Sequence, residues 1–179
     1  HSADVHRLFV GGTMAGVKTL VESRGVQLPD TWLADTNAHI AKVLAEQVEV
    51  MPGVPALLDL LDAQQIAYAV VSNGPMAKMR ATLGRTGLWN RLEGRIFSAH
   101  DLGVAKPNPG LYLHAASALG IATESCVVVE DSANGLRAGV AAGIVSYGLT
   151  TDLSGNAIRE IGAIPFNSMT ELPGLLGLV

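Results

Sequence analysis

The stretch "VVVEDSANG", residues 127 to 135, ends an apolar, β-branched run on two adjacent carboxylates, Glu130 and Asp131. Val and Ile favour the pleated geometry of a strand, and turn formers bound the run on both sides. "SCVVVE" (125–130) is therefore the strongest strand candidate in the chain, and the most buried-looking one. One ordinary reading of the acids is a cap, because Asp and Ser commonly precede a helix. The other is half of a cation site. In a parallel sheet, ligands bind at the carboxyl ends of the strands, and paired acids there suit a hard cation such as Mg²⁺.

Working outward from this stretch, strands and helices alternate from Met51 onward. "IAYAVVS" (66–72) predicts a strand. "GPMAKMRATLGRTG" (74–87) predicts a helix, with Pro75 at its start and Gly87 past its end. "GRIFSA" (94–99) is a weaker strand. In "NPGLYLHAASALG" (108–120), Asn108 is the expected N-cap and Gly120 the stop. The helix "SANGLRAGVAAG" follows the central strand, "IVSYG" gives another strand, and "SMTELPGLLGLV" ends the chain with a short helix packed on the sheet. Strands alternating with helices of ten to fifteen residues predict an α/β fold, a parallel sheet with helices on both faces. Residues 1 to 49 differ: "VHRLFVGG", "MAGVKTLVESRG" and "TWLADTNAHIAKVLAEQV" read as three helices with no strand between them. The expected organisation is a helical module at 1–49 and an α/β core at 50–179.

Two further motifs end strand candidates. In "VVSNGP" (70–75), Ser72, Asn73 and Gly74 offer a hydroxyl, an amide and backbone N–H groups as an anion cradle; a helix cap is the ordinary alternative. In "VAKPNPG" (104–110), Lys106 stands on a loop stiffened by two prolines, where an ammonium can meet a phosphate. Its ordinary alternative is a surface lysine. All three motifs fall at the carboxyl ends of strands, so one sheet edge gathers hydroxyl, ammonium and paired carboxylates. That set suits a phosphate bound with a divalent cation, the equipment of phosphoryl transfer. Gly135, Gly139 and Gly143 recur every four residues, which reads as a small-residue face for close helix–sheet contact.

Composition narrows the classes. With 49% hydrophobic and 16% charged residues, the 179-residue chain can bury a sizeable core. Lys and Arg number 12 against 16 Asp and Glu, aromatics make up 4%, and no basic run occurs. That argues against nucleic acid as a partner. No apolar stretch approaches the ~18 residues of a membrane span. The single Cys126 excludes an internal disulfide and fits a reducing, cytoplasmic setting. The histidines, among them His6, His39, His100 and His114, lack ligand spacing.

"VVSNGP", "AKPNPGLYLHAASALGI" and "VVVEDSANGLRAGVAAGI" together resemble the second, third and fourth motifs of the haloacid dehalogenase-like (HAD) hydrolase superfamily. More narrowly they are similar to its β-phosphoglucomutase-like branch, and "VVSNGP" followed by "KM" to members of the 6-phosphogluconate phosphatase type. The resemblance implies a HAD-like Rossmannoid parallel sheet with a small helical cap formed by residues 1–49. It implies that Ser72 and Asn73 bind phosphoryl oxygens and that Lys106 steadies the phosphate and the nucleophile's charge. Asp131 would bind Mg²⁺, with Glu130 as a direct or water-mediated helper. The implied activity is a Mg²⁺-dependent phosphatase of small phosphorylated sugars or sugar acids, working through an aspartyl-phosphate. A β-phosphoglucomutase-type isomerase and a non-catalytic phospholigand binder are the alternatives.

The superfamily's first motif, an Asp-x-Asp-Gly-Thr-like run carrying the nucleophile, has no counterpart here; "GGT" at 11–13 carries no acids. The resemblance puts that motif on a strand between those at 66–72 and 126–130. Strands lie ~4.8 Å apart, so its omission leaves a gap of about 10 Å flanked by unpaired backbone groups. Each such buried group costs about 1–3 kcal/mol, and several together would exceed a domain's typical margin of about 5–15 kcal/mol. The expectation is an incomplete cap, a missing first core strand, no activity from these residues alone, and an upstream segment, or another chain, that donates the strand.

Overall fold

The computed structural model describes residues 13–179. The helix expected over residues 5 to 12, and His6, lie outside that range. Two helices come first, α1 (Met14–Glu22) and α2 (Trp32–Gln47), and neither buries a residue fully. The Thr13 hydroxyl caps α1 by accepting the Gly16 N–H at 3.1 Å. In α2, Leu33, Asn37, Ile40, Val43 and Leu44 are half-buried on one face, while Lys42, Ala45 and Glu46 are exposed. That face packs against α4 (Met76–Arg85). Among the described residues, no helix is long and apolar enough to cross a membrane.

The α/β portion follows in the order α3 (Val54–Ala63), β1 (Val70–Ser72), α4, α5 (Trp89–Leu92), β2 (Ile96–Ser98) and α6 (Ala99–Leu102). Next come α7 (Gly110–Leu119), β3 (Val127–Glu130), α8 (Ala133–Ala141), β4 (Val145–Leu149), α9 (Gly155–Ile161), β5 (Ile164–Phe166) and α10 (Leu172–Leu175). All strand pairs are parallel, but they form two sheets, β1–β2 and β3–β4–β5. Ser72 lies opposite Ser98 in the first, and Glu130 opposite Gly148 in the second. No ladder joins β1 to β3; the break falls between residues 70–72 and 127–130.

Helices flank the larger sheet on both faces. On one, Tyr112, Val128, Ala138 and Ile144 form a cluster, and Leu136, Ile158 and Ala163 a second. On the other, Leu57 of α3 and Leu172 of α10 close over Leu149 and Phe166. Leu172 and Leu136 are fully buried, each such side chain worth about 1.5–3 kcal/mol relative to exposure. The C-terminal segment thus packs on the sheet through Leu172, with Leu176 and Leu178 beside it.

Several sequence expectations need correction. The strand expected over 66–72 is formed only at 70–72, because its partner among the described residues begins at Ile96, after the helix ending at Leu92 and the turn at Gly94. The central strand starts at Val127, since Thr123–Ser125 make a 3₁₀ turn before it. That strand is also less buried than its composition suggests: Val128 is 5% exposed but Val127 48%. Alternation is the cause. Val128 faces α7 and α8, whereas Val127, Val129 and the paired Val145 lie on the opposite face, where α3 and α10 cover only the Leu149–Phe166 end.

The glycine repeat divides by position. A Cβ at Gly139 would collide with the Ser146 hydroxyl and press on Val128, so α8 crosses the sheet at close range there. Gly143 instead lies beyond the helix at φ +72°, where the chain turns into β4.

Candidate active site

Each site segment is placed by a strand end and the loop after it. The helix after β1 begins at Met76, with Pro75 as its N-cap, so Asn73 and Gly74 lie in the loop and not in the helix. Asn73 does not cap α4. Its Nδ2 donates to the Lys106 carbonyl at 3.0 Å, and its Oδ1 accepts the Lys106 N–H at 2.8 Å. This reciprocal pair clamps the "SNG" loop to the lysine loop across 33 residues of sequence. The Gly74 N–H donates to the Ser72 hydroxyl at 3.0 Å. The Gly74 carbonyl accepts the hydroxyl of Ser98, which is buried on β2.

The lysine loop ends in a different cap from the one expected. Pro109 is the N-cap of α7, and Asn108 accepts the Gly110 N–H at 2.8 Å. The Lys106–Pro107 bond is cis. The Lys106 side chain reaches across the break between the sheets: its ammonium donates to the Val71 carbonyl at 3.1 Å and pairs with the Glu130 carboxylate. Both side chains are only 9% exposed.

Glu130 and Asp131 have separate surroundings. Oε1 of Glu130 accepts from Lys106 and from the Tyr112 hydroxyl at 2.7 Å; Oε2 accepts the Ser132 hydroxyl at 2.9 Å and its N–H at 3.3 Å. Burial, the largest single influence, pushes this carboxyl up, yet Lys106, Tyr112 and Ser132 together hold it below the usual value. The cap of α8 is Ser132, which accepts the Gly135 N–H, so neither acid is explained as the helix cap. Asp131 is raised, first by desolvation, then by the charge of Glu130, with Asp152 adding to it. A backbone hydrogen bond at Asp131 and, after it, the charge of Lys106 offset this only in part.

The structure thus brings Ser72, Asn73, Lys106, Glu130 and Asp131 to one rim. Tyr112 was missed by sequence reasoning. Its ring lies 5.5 Å under the Lys106 ammonium and its hydroxyl binds Glu130, while burial and that carboxylate raise its own pKa. Its position in the first turn of the helix after the lysine loop is the signal that could have found it. Among the described residues, no three His, Cys, Asp or Glu side chains converge closely enough to hold a metal, and the rim itself presents the two adjacent carboxylates Glu130 and Asp131. A depression of about 230 Å³ lined by Arg80, Gly84, Gly87, Trp89 and Asn90 shares no residue with the rim.

A 6-phosphogluconate phosphatase of Escherichia coli (strain K12) is 31% identical over 174 residues, covering 96% of this chain and 77% of that protein. A phosphorylated carbohydrates phosphatase of Thermotoga maritima is 26% identical over 180 residues, covering 98% and 83%. A crystal structure of a HAD family hydrolase from Deinococcus radiodurans R1 with bound phosphate and sodium matches with a TM-score of 0.76 at 30% identity, covering 96% of this chain and 80% of that one. The family description that matches residues 5–143 is haloacid dehalogenase-like hydrolase, and the chain belongs to that family.

Proposed function

We propose that the protein hydrolyses phosphate monoesters of small sugars or sugar acids, using Mg²⁺ and an aspartyl-phosphate intermediate. The observation that carries this reading is the clamp of Asn73 on Lys106 and of Lys106 on Glu130, which gathers donors and acids at one strand-end rim. The phosphatase names of the relatives support the substrate class.

In this reading Ser72 and Asn73 hold phosphoryl oxygens, and Lys106 offsets the charge that builds on them. Asp131 is the residue that would hold Mg²⁺: its hard oxygens fit, and it lies at the strand end beside Glu130, where burial and that neighbouring charge raise its pKa. Glu130 would help only through water, because both its oxygens are already engaged. A bound Mg²⁺ would supply charge neutralisation at the phosphoryl oxygens. The nucleophile is assigned to an aspartate on a strand entering between β1 and β3, where neither edge has a ladder partner among the described residues. Its carboxylate would take the phosphoryl group as the bond to the sugar oxygen breaks, and water would then release phosphate. The helices at 14–47 are assigned to the cap.

The test is phosphate release from sugar phosphates by the full-length protein, with and without a chelator. Turnover that stops with the chelator and returns with Mg²⁺ is the expected result. Isomer formation without phosphate release would favour a mutase, and undiminished turnover without divalent cations would overturn the reading.

A further inference from the structure

A lysine ammonium has three N–H bonds, and Lys106 gives two of them to the Val71 carbonyl and to Oε1 of Glu130. A phosphoryl oxygen therefore competes with Glu130 for the same cation. Both side chains are largely covered, so water screens that competition only weakly. Any other donor to Oε1 of Glu130 decides how much of the ammonium's charge is left for the anion. Tyr112 is such a donor: its hydroxyl binds the same oxygen at 2.7 Å.

Local structure explains how it reaches there. Tyr112 is the third residue of α7, which Pro109 and Asn108 start, and helical side chains lean towards their N-terminus, here back to the lysine loop. The ring is 7% exposed and packs with Val128, Ala138 and Ile144. That packing accounts for an aromatic residue but not for the hydroxyl, since Phe would fill the same space. The ring also stands 5.5 Å from the Lys106 ammonium. One side chain thus touches both members of the ion pair, as a donor to the carboxylate and as a π-face to the cation.

We infer that Tyr112 is a positioning residue for phosphoryl transfer: by sharing Oε1 of Glu130 it keeps the Lys106 ammonium only partly neutralised and leaves its charge available to the phosphoryl group. Tyr112 acts through Glu130 and Lys106 and touches no substrate. This inference rests on the proposed phosphatase reading of the same rim.

The test is calorimetric titration of orthovanadate, a mimic of the phosphoryl group in transfer, into the full-length protein at saturating Mg²⁺. It is run on wild type, Tyr112→Phe, Glu130→Gln and the double variant. Tyr112→Phe should weaken vanadate binding about tenfold with the stoichiometry unchanged. That is less than the ~10²–10³-fold of a group touching the developing charge, because Tyr112 acts through its neighbours. A purely structural role would lower the number of binding sites and not the affinity of those that remain. Glu130→Gln removes the competing carboxylate and should bind vanadate at least as tightly as wild type. In that background Tyr112→Phe should change the affinity by less than about twofold. An unchanged affinity in Tyr112→Phe, a loss confined to stoichiometry, a tenfold loss that persists beside Glu130→Gln, or no binding by Glu130→Gln overturns the inference. The phosphatase reading fails separately, and takes the inference with it, when wild type with Mg²⁺ binds no vanadate.

Discussion

The β1–β2 pair and the β3–β4–β5 sheet are built from similar apolar strands but are held in place by different means. The larger sheet has helices on both faces and buries Val128, Leu149 and Phe166. The smaller has two strands of three residues each, and every residue of β1 is only half-buried. A two-stranded unit is marginal by itself, so its place depends on ties to its neighbour. Some ties are apolar, such as Val71 against the Tyr112–Val128 cluster and Phe97 of β2 edge-on to His114 of α7. Others are polar and pass through Lys106, which is clamped by Asn73 and paired with Glu130. The same residues that equip the candidate site also connect the two sheets, so stability and function should fail together at Lys106.

The largest expected effect follows from that overlap. Lys106→Met leaves the enclosed Glu130 carboxylate without its cation, and breaking such a pair typically costs about 3–5 kcal/mol. Denaturant unfolding checks this. The pH dependence has a defined sign: Glu130 is depressed in the folded state, so its contribution is complete above the unfolded value of about 4.3 and is lost as pH falls through the lower folded value. Glu130→Gln should remove that acid-side loss.

Gly135→Ala should come next. A Cβ there overlaps the Glu130 carboxyl, so either the Lys106 pair or α8 must shift, at the ~1–3 kcal/mol typical of overpacking. Thermal unfolding should show a lower Tm; an unchanged Tm would mean that Glu130 moves freely and that the tie is weak. Tyr112→Phe removes one donor to Glu130 and should cost about 1 kcal/mol. It should also shift the acid-unfolding profile towards higher pH, a readout that simple loss of packing would not produce.

The sequence made the alternation of elements and the gathering of three motifs at one rim legible, because strand ends can be read from β-branched runs and turn residues. Side-chain pairings were not legible, since they depend on distances across the sheets. Asn73 resembled a helix cap yet bonds to Lys106, and Glu130 resembled a metal ligand yet serves Lys106, Tyr112 and Ser132. Val127 and Val129 looked like core residues, but strand burial depends on which helices cover each face, and local composition does not carry that information.

The most direct test of the central claim is calorimetric titration of inorganic phosphate into the full-length protein, with and without Mg²⁺, for wild type and Asp131→Asn. Phosphate should bind tightly only with Mg²⁺, and the dependence on Mg²⁺ should disappear in Asp131→Asn together with the tight binding. Equal phosphate affinity with and without the cation, in both proteins, would contradict a rim built to hold an anion and a divalent cation together.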